Sequence, residues 1–177
     1  MLRAKTFMIE TRARNRWVWI IGLAGGVLGF LMQVLIRKAF EEQLLSKTLP
    51  LIPGIFHLTY LKNPGAAFSF FDSNLTSWTL WLRLISMGII AVVTLLFSRF
   101  RKEMILPLQV GLGLLLAGGI SNTVEQILYG DIAIYLDWRS PPLPIFNLAD
   151  IAVRLGSFVT NISILYWLLS ALIRRFR

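Results

Sequence analysis

Residues 105–124 read ILPLQVGLGLLLAGGISNTV, and this stretch decides the fold class. It carries no charged side chain, and it has the length of about 20 residues that a helix needs to cross the hydrocarbon core of a bilayer. Three further runs are similarly long and apolar, and they lie roughly at Trp17–Ile36, Trp78–Phe97 and Ile151–Ile173. The sequence therefore predicts an all-α integral membrane protein with four transmembrane helices.

The composition narrows the chemistry that the chain can perform. Its 177 residues are 56% hydrophobic and include no cysteine and a single histidine, His57. The absence of cysteine excludes disulfides and thiolate-bound metals, and a lone histidine argues against an imidazole-based metal site or nucleophile. We therefore expect no cofactor and no metal. No repeat or low-complexity tract divides the chain, so we predict one membrane domain over residues 1–177.

The net charge of +9 has two interpretations. Basic surfaces can bind nucleic acid, but in membrane proteins Lys and Arg mainly fix the topology, since they concentrate in cytoplasmic segments. Four spans place the larger basic group, with both termini, on one side, so we expect a cytoplasmic basic tail at 1–16, membrane lipids as partners and no nucleic acid. The larger group is Arg3, Lys5, Arg12, Arg14, Arg16, Arg99, Arg101, Lys102, Arg174, Arg175 and Arg177, and the smaller is Arg37, Lys38, Lys47, Lys62 and Arg139.

Two segments, 37–77 and 125–147, should therefore face outward. The alternation of Phe56, Leu58 and Tyr60 predicts a short strand in the first of them. We expect this segment to form a small β-cradle, meaning a short sheet that rests on the membrane. The second segment holds Trp138 and a run of prolines, which favours a rigid loop that covers a site.

Polar side chains stand where two predicted spans meet the outer side. Ser121 and Asn122 end the third span, and Asn147 and Asp150 begin the fourth. Such groups can simply join helices through hydrogen bonds. A carboxylate at membrane depth instead indicates a functional site by default, because burying its charge is costly.

Three short motifs in the same order resemble those of the signal peptidase II, or lipoprotein signal peptidase, family. They are Asn63-Pro-Gly-Ala-Ala-Phe68, Gly118-Gly-Ile-Ser-Asn122 and Phe146-Asn-Leu-Ala-Asp150. The resemblance implies a multi-pass protein of the bacterial inner membrane and a groove for the signal peptide of a diacylglyceryl-modified prolipoprotein. It also implies substrate-binding residues, which are Asn63, Gly65, Ala66, Ala67, Phe68, Asn122 and Asn147.

Members of this family are aspartic endopeptidases, and their chemistry needs two carboxylates that share one proton. Asp150 matches the second catalytic aspartate. The first should lie nine residues beyond the acid of an Asn-x-x-Asp-Arg motif, which appears here as Asn122-Thr-Val-Glu-Gln126, and that position is Ile134. A further acid-Gln pair of the first span appears as Met32-Gln33. The dyad is therefore expected to be incomplete.

Asp131 and Asp137 are the possible substitutes for the missing acid. Each lies three residues from Ile134, and on a strand an odd offset places a side chain on the opposite face. A loop would relax that constraint, with Asp137 the better candidate. Glu125 lies one turn past Asn122 and is expected to support helix packing.

Arg154 follows Asp150 by four residues, on the same helix face and in the favourable acid-then-base order. The spacing predicts that the two form a structural ion pair in place of a catalytic dyad. The alternative is that Arg154 pairs elsewhere or extends towards the headgroups.

Three functions follow from these observations. The favoured hypothesis is a non-proteolytic relative that retains the groove and binds a lipoprotein, a lipid or a membrane-protein partner. The second is an active peptidase that uses Asp150 with Asp137 or Asp131. The third is a structural subunit of a larger membrane complex.

Overall fold

The computed structural model describes residues 15–42, 48–64, 76–100 and 104–175. Within these ranges the chain forms four helices and three strands. In chain order they are α1 (Arg16–Glu41), β1 (Thr48–Ile52), β2 (Phe56–Asn63), α2 (Thr76–Phe100), α3 (Leu106–Tyr129), β3 (Ile132–Trp138) and α4 (Leu148–Arg175).

Three of the predicted spans correspond to helices that are long and apolar enough to cross a membrane. They are Arg16–Glu41, Leu106–Tyr129 and Leu148–Ile173. The apolar part described in α2, Leu80–Leu96, is shorter. The mainly helical membrane fold is thus confirmed, whereas α2 as a fourth span stays a prediction. All four helices extend beyond the predicted apolar spans. The extensions of α1 and α3 carry Arg37 and Glu125.

Helix α3 lies at the centre and packs closely on α1 and α4. Glycines make this approach possible: a Cβ atom at Gly22 of α1 would lie 2.9 Å from Leu116 Cβ, and one at Gly156 of α4 would lie 2.8 Å from the carbonyl oxygen of Gly111. Without side chains at these positions, the helix backbones come close enough for dense packing, as is common between membrane helices. Helix α3 then ends at Gly130, whose φ of 78° is a left-handed conformation that glycine adopts without strain.

The strands form one antiparallel sheet in the order β1-β2-β3. The strand predicted at Phe56–Tyr60 is confirmed as part of β2, and the expected small sheet is present. Its placement on the membrane stays a prediction. Strand β3 occupies part of the outer segment for which a rigid loop was predicted. That prediction was wrong for Ile132–Trp138, because this stretch forms a strand that pairs with β2 on both sides of a bulge.

A β-bulge interrupts the β2–β3 pairing. Leu58 pairs with Leu136, but Leu61 pairs with Ile134, so β2 has one extra residue between these pairs. Residues that lie opposite each other in an antiparallel pair share a sheet face. Asn63, which pairs with Ile132, therefore shares a face with Ile132 and Ile134.

Candidate functional site

The first turn of α4 holds Asp150 through a capping arrangement. The Asp150 N–H donates to Asn147 Oδ1 at 2.8 Å, and the Asn147 N–H donates to Asp150 Oδ2 at 3.0 Å. The two residues thus satisfy two N–H groups that the start of a helix leaves without intrahelical partners. The spacing in Asn147-Leu-Ala-Asp150 fixes the carboxylate at the mouth of the helix.

Asn122 connects Asp150 to the neighbouring elements. Its Nδ2 donates to Asp150 Oδ1 at 3.0 Å, and its Oδ1 accepts from Asn147 Nδ2 at 3.0 Å. Asn147 Nδ2 also donates to the carbonyl oxygen of Ala133 in β3, at 3.1 Å. Each oxygen of the Asp150 carboxylate therefore accepts one N–H, and the amides join α3, α4 and β3.

The network continues into α1 through Gln33. Gln33 Nε2 donates to Asn122 Oδ1 at 2.7 Å, and Ser121 Oγ donates to Gln33 Oε1 at 2.6 Å. Gln33, Ser121 and Asn147 are all buried. We call this set the amide cluster: Gln33, Ser121, Asn122, Asn147 and Asp150.

A cavity of about 530 Å³ opens beside Asp150. Helices α2, α3 and α4 form its walls, and Asn63 at the end of β2 and Phe146 just before α4 contribute at the end next to the sheet. Among the residues that the structure describes, Asp150 is the only carboxylate in the lining. The full lining is Asn63, Leu82, Arg83, Ser86, Met87, Ile90, Leu115, Gly118, Gly119, Asn122, Pro144, Ile145, Phe146, Asp150, Val153 and Arg154.

Two guanidinium groups line the same cavity. Arg83 Nη1 donates to Gln126 Oε1 at 2.5 Å. Arg154 lies over the ring of Phe146, 5.4 Å from its centroid. The predicted Asp150–Arg154 ion pair is wrong: within the described part of the chain, Arg154 makes no salt bridge, and both Asp150 oxygens already accept amide N–H groups.

The predicted substrate-binding residues fall into three groups. Asn63 and Asn122 line the cavity, so a ligand there can reach them. Asn147 is fully buried behind them, in the amide cluster. Gly65, Ala66, Ala67 and Phe68 lie outside the described residues.

Strand β3 presents different residues on its two faces. Ile132, Ile134 and Leu136 share the face of Asn63, whereas Ala133, Tyr135 and Asp137 lie on the other. Burial raises the pKa of Tyr135 to about 12, so its hydroxyl stays protonated at neutral pH. Ile134, at the position where the resemblance places the first catalytic acid, is thus an apolar residue on the same sheet face as Asn63.

The two possible substitute acids bind other partners. Asp131 Oδ1 accepts from Arg37 Nη2 at 2.6 Å. Asp137 Oδ2 accepts from Thr59 Oγ1 at 2.8 Å and from Arg139 Nε at 2.9 Å. Burial alone would raise the pKa of Asp137, but the hydrogen bonds from Arg139 and Thr59 outweigh it and lower that pKa below its usual value.

Sequence reasoning missed a buried ion cluster formed by Arg37, Glu125 and Asp131. Arg37 Nη2 lies 2.8 Å from Glu125 Oε1, and Glu125 Oε2 accepts the Ala133 N–H at 3.1 Å. The Arg37 side chain is 4% exposed and that of Glu125 is fully buried. Gln33 and Arg37, like Ser121 and Glu125, are four residues apart on one helix face, but spacing within each helix does not show that Arg37 meets Glu125. Our prediction gave Glu125 a role in packing but gave Arg37 only a role in topology.

The fold and the site together define a class: a membrane protein with several apolar helices and a polar cluster beside a groove between them. The family model described as Signal peptidase (SPase) II matches residues 21–166. The chain therefore belongs to the signal peptidase II family, which confirms the resemblance read from the three motifs.

Individual relatives agree with this assignment. A lipoprotein signal peptidase of Microcystis aeruginosa is 36% identical over 151 residues, which cover 85% of this chain and 92% of that protein. A lipoprotein signal peptidase of Gloeothece citriformis is 37% identical over 146 residues, covering 82% and 86%. A solved bacterial membrane enzyme, determined by the in meso method at 2.3 Å resolution, has a similar fold, with a TM-score of 0.66, 22% identity and coverage of 84% of this chain and 87% of that one.

Proposed function

We propose that this protein binds a ligand from the membrane in the signal peptidase II groove without cleaving it. The ligand class is a diacylglyceryl-modified lipoprotein segment, a lipid or a helix of a membrane-protein partner. One observation carries the proposal: Asp150 is the only carboxylate among the described lining residues, while Ile134 occupies the position that the resemblance assigns to the second acid.

The chemistry explains why one carboxylate is insufficient. In aspartic proteolysis an ionised carboxylate activates water while a protonated one polarises the scissile carbonyl, and their closeness keeps one of them protonated. Isoleucine can neither accept a proton nor donate a hydrogen bond to a carbonyl. Removing one member of such a unit usually abolishes most of the rate enhancement.

The binding part of the proposal rests on the groove. Its walls are mainly apolar side chains of α2, α3 and α4, and its polar end holds Asn63 and Asn122. Apolar pockets with a few fixed polar groups are the usual form of ligand sites. The arrangement suits acyl chains along the wall and an extended backbone against the amides.

An active peptidase is the second candidate, and the relatives favour it, since both compared relatives carry the name lipoprotein signal peptidase. It requires Asp131 or Asp137 to act with Asp150. Both carboxylates are hydrogen bonded to guanidinium groups, and Asp137 lies on the strand face opposite Ile134. This alternative therefore requires a rearrangement of β3.

We further propose a topology: α2 is the fourth span, the protein lies in a bacterial inner membrane as one domain, and both termini face the cytoplasm. The 25 residues of α2 would extend about 37 Å, which is enough to cross a bilayer core. Single cysteines introduced into this cysteine-free chain, one near residue 3 and one at Arg139, test the topology. Labelling of the first by an impermeant maleimide in intact cells would contradict it.

The decisive experiment combines cleavage and binding on the purified full-length protein. The probe is a diacylglyceryl-modified prolipoprotein, offered to the wild type, Asp150→Asn and Ile134→Asp, with Leu136→Asp as the matched control on the same strand face. We expect no cleavage by the wild type or by Leu136→Asp, and measurable cleavage by Ile134→Asp. Cleavage by the wild type that Asp150→Asn abolishes would establish the active peptidase instead.

Binding is measured separately with the diacylglyceryl-modified signal peptide. The test variant is Ser86→Phe, which places a ring in the groove wall without changing charge. We expect saturable binding by the wild type and at least tenfold weaker binding by Ser86→Phe. Equal binding by the wild type and Ser86→Phe would show that the groove is not the binding site.

A further inference from the structure

Asn161 lies halfway along the apolar span of α4, which runs from Leu148 to Ile173. At a rise of about 1.5 Å per residue, Asn161 is about 20 Å from the outer end of the helix, close to the middle of a bilayer. An amide at this depth cannot reach the headgroups. It must find a hydrogen-bonding partner in protein or remain unsatisfied in hydrocarbon, which costs several kcal/mol.

The side chain of Asn161 points outward and makes no hydrogen bond to any residue that the structure describes. Its exposed neighbours on the helix are apolar: Phe158 is 66% exposed and Ile162 is 52% exposed. Two buried hydroxyls in the spans are satisfied within their own helices, since Ser163 Oγ donates to the carbonyl oxygen of Val159 and Thr94 Oγ1 to that of Ile90. Asn161 thus stands out among the described span residues as an exposed amide without a partner.

A continuous surface surrounds this amide. Ser157 lies one turn before it, and leucines lie one, two and three turns after it on the same side of the helix. We call this surface the Asn161 stripe: Ser157, Asn161, Leu165, Leu168 and Leu172. Small and amide side chains in such a stripe are features of contacts between membrane helices, where a hydrogen bond and close packing supply the attraction.

We propose that the Asn161 stripe binds a second copy of this chain, with the two Asn161 amides hydrogen bonded to each other across a two-fold axis normal to the membrane. An amide carries both a donor and an acceptor, so it can pair with an identical group. All copies of one chain insert in the same orientation, and each Asn161 therefore lies at the same depth as its counterpart. A two-fold interface brings residues near the axis against themselves.

The charged residue on the same side of α4 does not oppose this contact. Arg154 lies two turns nearer the outer end, and its guanidinium packs on Phe146 in the groove wall. Membrane helices cross at an angle, so a pair that touches at its midpoint is further apart at the depth of Arg154. The dimer contact and the groove thus use different levels of α4.

The absence of cysteine allows a direct test with the full-length chain in its native membrane. Leu165→Cys places one thiol in the stripe and keeps the amide, whereas Tyr166→Cys places one at the next, exposed position, which faces another side of the helix. We expect oxidation to convert Leu165→Cys into a species of twice the mass, and to leave Tyr166→Cys largely monomeric. Equal cross-linking of the two variants would overturn the proposal.

The role of the amide is tested in the Leu165→Cys background. Asn161→Leu should lower the dimer yield at least fivefold, while Asn161→Gln, which keeps an amide, should retain most of it. An unchanged yield with Asn161→Leu would contradict the pairing. A cross-linked species of some other mass, in place of the doubled one, would mean that a different membrane protein occupies the stripe.

Discussion

Two polar clusters meet at the backbone of Ala133, and they hold charge in different ways. On one side the Ala133 N–H donates to Glu125 in the ion cluster, where one guanidinium faces two carboxylates. On the other side the Ala133 carbonyl oxygen accepts from Asn147 in the amide cluster, where neutral N–H groups surround the single carboxylate of Asp150. The first cluster pairs its carboxylates with a buried cation, and the second keeps a carboxylate at the groove.

The difference predicts unequal sensitivity to substitution, and Arg37→Met should have the largest effect. It leaves the buried Glu125 carboxylate without its cation, and breaking such a pair costs about 3–5 kcal/mol of unfolding free energy. The measurement is denaturant unfolding in detergent micelles. The matched control is Lys38→Met, which removes an exposed charge at the next position and should change stability by less than about 1 kcal/mol. Equal effects would mean that the ion cluster contributes nothing beyond total charge.

Asn122→Leu tests the amide cluster and should cost less than Arg37→Met. It removes hydrogen bonds to Gln33, Asn147 and Asp150, and we expect a loss of about 2 kcal/mol because the groups left unsatisfied are neutral or reach the groove. Its control is Thr123→Val, a buried neighbour whose hydroxyl, among the residues that the structure describes, hydrogen bonds to Met87 Sδ alone, at 3.5 Å. A larger loss for Thr123→Val than for Asn122→Leu would contradict the assignment.

Asp137, a carboxylate outside both clusters, should show its effect in acid. Its pKa is lowered in the folded state, because the hydrogen bonds from Arg139 and Thr59 outweigh burial. The stabilisation is therefore complete above the unfolded pKa of about 3.9 and is lost as the pH falls through the lower folded value. Thermal midpoints measured between about pH 5 and pH 3 should fall less in Asp137→Asn than in the wild type. A parallel fall in both proteins would assign the acid sensitivity to other groups.

The smallest effect is expected for an ion pair at the surface. Lys62 Nζ lies 2.7 Å from Glu41 Oε1, but the side chains are 53% and 43% exposed. Exposed pairs contribute about 0–1 kcal/mol, because water screens them and ordering two long side chains costs entropy. A double-mutant cycle of Lys62→Met and Glu41→Gln should give a coupling in that range. A coupling as large as the Arg37→Met effect would remove the contrast between buried and exposed pairs.

Much of this architecture could be predicted from the sequence because it depends on local patterns. Apolar length gave the spans, and the alternation of Phe56, Leu58 and Tyr60 gave a strand. The motifs gave the family and directed attention to Asn122, Asn147 and Asp150, which the structure joins by hydrogen bonds. Features that depend on contacts between residues far apart in the sequence were harder to predict. The ion cluster joins Arg37 to residues 88 and 94 positions away, which no local pattern specifies.

The errors have physical causes as well. Strand β3 was taken for a loop because its apolar residues stand on both faces, so the alternation that marks a half-buried strand is absent. The Asp150–Arg154 pair followed from helix spacing alone. Helix spacing does not show that Asn122 and the Asn147 N–H donate hydrogen bonds to the Asp150 oxygens. Nor does it show that the Arg154 guanidinium lies over the ring of Phe146.

The bulge in β2 has a consequence for how this protein can evolve. Side chains alternate along a strand, so the extra residue between Leu58 and Leu61 determines which way the rest of β2 faces. Deleting one codon there would exchange the two faces of the strand end and turn Asn63 away from the groove, although no groove residue would have changed. The register of β2 is therefore as important to the groove as the residues that line it. A change in the length of β2 would disable the groove as effectively as a substitution within it.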